Sequence, residues 1–303
     1  MKNNNKLFVA TSSFGLYSKE ALSILKKNNI NFKLNPLKRK LNKSELIKHA
    51  KGYDNIIAGT EIYDEQIFSA LEGLKYIFRL GSGIENIEIN SSKKYKVKVE
   101  KSKTTPEKSV AELVVGFILN YKKNISIHDH NLKNGIWKKK MGNLLYGSKV
   151  GIIGFGKIGK YLYKILKPFG VEIFIHDIKK LKLPKRKSLE YVLKNSDIIS
   201  IHINSNNKTL LLDKKKLNLL KKNCLLINTS RAEIIDNLHL FKILQSKKIL
   251  GACLDVYENE PYSGKFTKLK NILLTPHIGS YSLDVRNDME IEASKSLLKY
   301  LRK

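Results

Sequence analysis

The chain has 303 residues, 42% of them hydrophobic, and carries 57 Lys+Arg against 27 Asp+Glu for a formal charge of +30. That length is about two domains' worth, and the apolar content excludes a disordered chain. The charge raises nucleic acid or an anionic membrane as partner, but the short basic groups (Lys38 to Lys40, Lys138 to Lys140, Lys185 to Lys187, Lys214 to Lys216) are scattered and mostly Lys, not Arg, which argues for a solvated surface whose field draws in small anions.

The N-terminal apolar run Leu7 to Ala10 is too short for a signal peptide, and no later run approaches membrane-spanning length, so a cytoplasmic protein without a membrane partner is expected. Short apolar runs then alternate with amphipathic stretches, the pattern of βαβ units and a parallel sheet. Strands are predicted near Leu7 to Ala10, Asn31 to Leu34, Asn55 to Ala58, Tyr76 to Leu80 and Lys96 to Val99, with helices opening from Ser18, Ser44 and Asp64 as N-caps. Pro106 precedes a long apolar helix that marks the crossing into a second domain. A second series follows, with strands at Val150 to Ile153, Val171 to His176, Ile198 to Ile203, Leu225 to Asn228, Gly251 to Asp255 and Ile272 to Thr275. Asp284 to Leu301 has apolar residues at helical spacing and is expected to pack back on the first domain. Cys224 and Cys253 sit inside apolar runs and read as buried free thiols, with neither a disulfide framework nor metal-ligand spacing.

The chemistry begins at Gly154-Phe-Gly156-Lys157-Ile158-Gly159, between a strand and a helix, with Asp177 ending the next strand about 20 residues on. Gly154 permits a tight turn, Gly156 lets backbone approach a pyrophosphate, Gly159 lets helix pack on strand, and helix N-terminal amides receive the anion. Asp177 is placed for ribose hydroxyls and would repel a 2′-phosphate, so NAD is preferred over NADP.

Three further segments end predicted strands, where open parallel sheets bind ligands: Asn228-Thr229-Ser230-Arg231, Asp255-Val-Tyr-Glu-Asn-Glu260-Pro261 and Thr275-Pro-His277-Ile-Gly-Ser280. With the glycine turn, and Gly135-Ile-Trp137 ahead of it, they resemble the D-isomer-specific 2-hydroxyacid dehydrogenases over nearly the whole chain. The resemblance implies an α/β protein of two doubly wound parallel-sheet domains: a Rossmann NAD-binding domain over residues 103–281, inserted in a flavodoxin-like substrate domain of residues 1–102 and 282–303. It implies NAD-dependent interconversion of a D-2-hydroxy acid and its 2-oxo acid in a cleft between domains. Phosphoglycerate or hydroxypyruvate/glyoxylate types are favoured, without a regulatory domain.

Such a reaction needs a hydride, a proton and a cation for the carboxylate. By resemblance His277 is the acid/base, Glu260 orients the imidazole and stabilises its protonated form, and Arg231 grips the carboxylate. Thr229, Ser230, Asp255 and the backbone of His202 join the glycine turn around NAD, Asp255 at the nicotinamide carboxamide. Backbone amides of Ser82, Gly83 and Ile84 form the substrate loop, and subunits pair as a homodimer through the nucleotide domains with Trp137 reaching the partner. His128, His130 and His239 read as structural, and no metal is expected. Two residues depart from the family pattern: Ala232 stands where Gly is usual, a strain if φ must be positive, and Asn204 where Pro is common. The alternative from another class is a dinucleotide sensor, since NAD-dependent corepressors share the fold.

Overall fold

The computed structural model describes residues 5–81, 83–179, 186–203 and 210–302. Ser82, Lys185 and Asn204, named above, lie outside them. The chain separates into two compact units, Met1–Thr105 with Tyr281–Lys303, and Pro106–Ser280.

Unit 1 opens with β1 (Lys6–Val9), α1 (Glu20–Lys27), β2 (Asn31–Leu34), α2 (Lys43–Ala50), β3 (Asn55–Ala58), α3 (Glu65–Ala70), β4 (Tyr76–Arg79), α4 (Ile89–Lys94) and β5 (Lys98–Lys101). Its sheet runs β2-β1-β3-β4-β5 with every pairing parallel. The period of two explains the layers: Phe8, Ile56 and Ile77 face Leu46, Ile67 and Phe68 of α2 and α3, while Leu7, Val9, Ile57 and Phe78 face the other way onto Ala21 and Leu25 of α1. Two helix starts differ from expectation. α1 begins at Glu20, with Ser18 Oγ accepting only that residue's amide at 3.3 Å. α2 is capped by Asn42, because its reciprocal box with Glu45 satisfies two amides at once where Ser44 would satisfy one. Asp64 caps α3 through Ile67 N.

Unit 2 contains α5 (Glu107–Lys123), α6 (Ile125–Lys133), β6 (Lys149–Ile153), α7 (Lys157–Leu166), β7 (Glu172–His176), α8 (Leu189–Asn195), β8 (Ile198–Ile201), α9 (Lys214–Leu217), β9 (Leu225–Asn228), α10 (Asn237–Gln245), β10 (Gly251–Leu254) and β11 (Ile272–Leu274). The chain then returns to unit 1 as α11 (Leu283–Leu301), whose Met289, Ala293 and Leu297 join the α1 face of the sheet. The sheet of unit 2 runs β11-β10-β9-β8-β6-β7, all parallel. Alternation again divides its sides. Val150, Ile152, Ile175 and Ile227 pack on α5 and α7, and Ile153, Ile201, Leu226 and Leu254 on α8, α9 and α10. With both faces covered, near-continuous apolar strands are the expected composition. The order reverses at β6, flanked by β7 on one side and β8 on the other, and a ligand crevice belongs at that switch point.

Residues 103 to 105 stay with unit 1 because Glu292 on α11 accepts Lys103 N at 2.7 Å, Thr104 N at 3.0 Å and the Ser102 hydroxyl. Cys224 and Cys253 are buried and free, and burial pushes the Cys224 thiol up to about 12. Among the described residues no helix is long and apolar enough to cross a membrane.

Candidate active site

The switch point of unit 2 is built by the glycine turn. Gly154 takes φ +95°, and a Cβ there would stand 2.4 Å from the His202 carbonyl oxygen. Gly159, in the first turn of α7, would place a Cβ 2.2 Å from the Gly154 carbonyl oxygen. Gly154 N bonds His176 O at 2.8 Å and His202 N bonds Ile153 O at 2.7 Å, so the ends of β6, β7 and β8 are laced together under the turn. Gly156, the N-cap residue of α7, differs: nothing lies within 4 Å of an added Cβ, leaving open space over the amides of Lys157 and Ile158. The first amides of a helix make no bond within the helix and can receive an anion. Asp177, just past β7, accepts Phe155 N at 2.6 Å and Lys179 N at 2.8 Å, which holds its carboxylate beside the turn.

His202 is buried, its Nε2 2.8 Å from Ser200 Oγ and its Nδ1 without a hydrogen-bond partner among the described residues. Burial lowers its pKa to about 3, which keeps the ring neutral. The Ser230 hydroxyl donates to Ile201 O, whereas the buried Thr229 hydroxyl has no partner among the described residues. An open cradle over helix amides past β6, a carboxylate past the adjacent β7 and an orphaned hydroxyl past β9, on the other side of β8, fit a dinucleotide. Among the described residues no group of three or more His, Cys, Asp or Glu side chains is gathered for a metal ion.

At the neighbouring strand ends the three side chains singled out in the sequence come together. At the end of β9, Asn228 is 1% exposed and organises the turn: its Oδ1 accepts Ser230 N at 3.0 Å and its Nδ2 donates to Arg231 O at 2.9 Å. Arg231 then leads into a 3-10 turn at Ala232–Ile234 and donates to Ser230 O at 2.8 Å. Ala232 is not among the residues with positive φ, so its extra methyl carries no backbone strain. After β10 comes Asp255, 1% exposed, and then Glu260; after β11 comes His277, whose Nδ1 lies 2.8 and 3.0 Å from the two Glu260 oxygens. Arg231, Glu260 and His277 line one pocket of about 240 Å³ with Val256 and Tyr257. Three distant segments therefore converge, and the His277 and Glu260 side chains remain 47% and 37% exposed, open to a ligand.

His277 has φ +55°, a conformation uncommon outside glycine. Asp255 brackets it. One carboxylate oxygen accepts the Thr275 hydroxyl and Ile278 N, the other Gly279 N at 2.8 Å. Asp255 thus holds the loop that presents the imidazole, a role sequence reasoning did not assign. Asn228 was missed in the same way; a buried amide at a strand end, before a turn of Thr and Ser, was the available signal. Gly83 and Ile84 follow β4 in unit 1.

Residues 115–279 match the family model described as D-isomer specific 2-hydroxyacid dehydrogenase, NAD binding domain. The chain is 34% identical over 260 residues to a glyoxylate reductase of Thermococcus litoralis, covering 80% of this chain and 78% of that one. It is 32% identical over 273 residues to a hydroxypyruvate reductase of Thermotoga maritima, covering 86% and 89%. The TT0316 protein of Thermus thermophilus superposes with a TM-score of 0.89 at 26% identity, covering 98% of this chain and 97% of that one.

Proposed function

The chain belongs to the D-isomer specific 2-hydroxyacid dehydrogenases, and we propose on that footing that this NAD-dependent oxidoreductase works in the cytoplasm on a small substrate of the glyoxylate or hydroxypyruvate kind. The observation that carries the reading is the meeting of Arg231, Glu260 and His277 in one pocket, with the imidazole on the carboxylate at 2.8 Å.

The roles follow from the contacts. Because Glu260 engages Nδ1, the proton that the alkoxide needs passes from His277 Nε2, and it returns there in the oxidative direction. Glu260 fixes the ring's orientation through the bond to Nδ1. Arg231 binds the substrate carboxylate with a guanidinium that keeps its charge. NADH, when bound, supplies the hydride to the carbonyl carbon. Gly154, Gly156, Lys157, Ile158 and Gly159 take its pyrophosphate, Asp177 its ribose, and His202, Thr229, Ser230 and Asp255 the remainder; Gly83 and Ile84 are assigned to substrate through their backbone amides. Residues 106–280 form the NAD-binding domain and the rest of the chain the substrate domain.

Oxidation of NADH in the presence of glyoxylate, hydroxypyruvate, pyruvate or 3-phosphohydroxypyruvate tests the assignment. Turnover is expected with at least the first two, and NADH should saturate at lower concentration than NADPH because Asp177 opposes a 2′-phosphate. NADH binding with no turnover on any of the four would overturn the reading in favour of a dinucleotide sensor.

The active species is a homodimer joined through unit 2. α6 buries none of its residues, and the stretch through it and beyond exposes Ile125, Leu132, Trp137 (81%), Met141 (93%), Leu144 and Tyr146. A second copy covering so much apolar surface accounts for its composition. Light scattering should return twice the chain mass; the mass of one chain removes the dimer.

A further inference from the structure

We propose that Tyr257 is a positioning residue for the His277–Glu260 pair, its hydroxyl and its backbone amide closing a hydrogen-bonded ring that fixes the imidazole. The inference rests on the acid/base role given to His277 above. In sequence Tyr257 is one aromatic residue among fourteen tyrosines, and a core side chain would be its ordinary reading.

The ring can be followed atom by atom. Tyr257 N donates to Glu260 Oε1 at 3.1 Å. Glu260 Oε2 lies 2.8 Å from His277 Nδ1. His277 N donates to Thr275 O at 3.0 Å, and that same carbonyl accepts the Tyr257 hydroxyl at 2.9 Å. The hydroxyl also reaches Leu254 O at 3.0 Å, so its one proton is shared between carbonyls just past β11 and at the end of β10. One residue therefore touches the carboxylate through its main chain and the histidine loop through its side chain.

Three observations make this more than packing. His277 sits at φ +55°, which its surroundings must enforce, and Thr275 O is the acceptor for the His277 amide itself. The Tyr257 ring is stacked on Tyr262, with centroids 4.3 Å apart and planes at 15°, so the hydroxyl is aimed by a rigid support. Burial, with the Asp255 charge beside it, holds the phenol's pKa above the usual tyrosine value, which keeps it a donor at every working pH. Because that proton is committed to main-chain carbonyls, Tyr257 does not itself protonate substrate. It acts through His277.

Tyr257→Phe in the full chain keeps the stacked ring and removes the two hydroxyl contacts. The expected result is a fall in kcat of about tenfold, with KM for the 2-oxo acid and Kd for NADH changed by less than about twofold. In the ligand-free protein, the 15N signal of His277 Nδ1, assigned by its loss in His277→Ala, should move toward the averaged position of an unrestrained imidazole. Tyr262→Phe is the control: it removes the hydroxyl that accepts Phe266 N at 3.1 Å in the same stacked pair, and should cost thermal stability while leaving kcat and the His277 signal intact. A Tyr257→Phe protein with wild-type kcat and an unmoved Nδ1 signal overturns the inference, even if its melting point falls. His277→Ala separates the two levels: if it too turns over normally, the assigned function fails, whereas an inactive His277→Ala beside a normal Tyr257→Phe sinks only the role of Tyr257.

Discussion

His277→Ala is expected to lower kcat for 2-oxo acid reduction by about a thousandfold, the middle of the range for loss of a positioned acid/base. The imidazole is 47% exposed and its ring is held by Glu260, with no hydrogen bond to the glycine turn among the described residues, so NADH affinity measured by fluorescence titration should stay within about twofold. Its loss leaves Glu260 in the pocket with only the Tyr257 amide on its carboxylate among the bonds described, a charge placed where a carboxylate substrate must approach. KM should therefore rise as kcat falls, and kcat/KM should drop further than kcat alone. An unchanged kcat removes His277 from proton transfer, and with it the assignment of the pocket.

The second large effect is expected at Gly159. A Cβ there would meet the Gly154 carbonyl oxygen at 2.2 Å and Ile152 Cγ2 at 3.3 Å, and the first of these is backbone inside the turn. α7 must move off β6, at an overpacking cost of about 1–3 kcal/mol. Gly159→Ala should melt several degrees lower, and NADH binding should weaken by about a hundredfold as the helix start retreats from the pyrophosphate. Gly156→Ala makes the comparison informative. Its φ of −73° suits alanine and no atom lies within 4 Å of the new methyl, so the melting point should hold while NADH affinity still falls, because the methyl occupies the ligand's space. Equal melting points and equal NADH affinities for both variants and the parent would mean that the turn does not bind a dinucleotide.

Much of this was legible in the residues because it depends on local rules. Alternation with a period of two and helical spacing mark strands and helices, and each predicted strand is found with ends shifted by at most two residues. The glycine turn is legible because each glycine answers a separate local demand, and Asp177 because it ends the next strand. The chain order of Arg231, Glu260 and His277 at strand ends made their meeting an expectation. What sequence alone could not supply is the hydrogen-bonding that turns three loops into one site. Asp255 was assigned to cofactor, yet its carboxylate carries three donors from the loop around His277. Likewise, nothing local marks His277 for φ +55° or distinguishes the Tyr257 hydroxyl from core packing. Periodicity and turn chemistry are written within a few neighbouring residues and survive in the sequence. The bracket around the imidazole joins residues about twenty positions apart through single polar atoms, and only folded strands lying side by side decide which of those atoms meet.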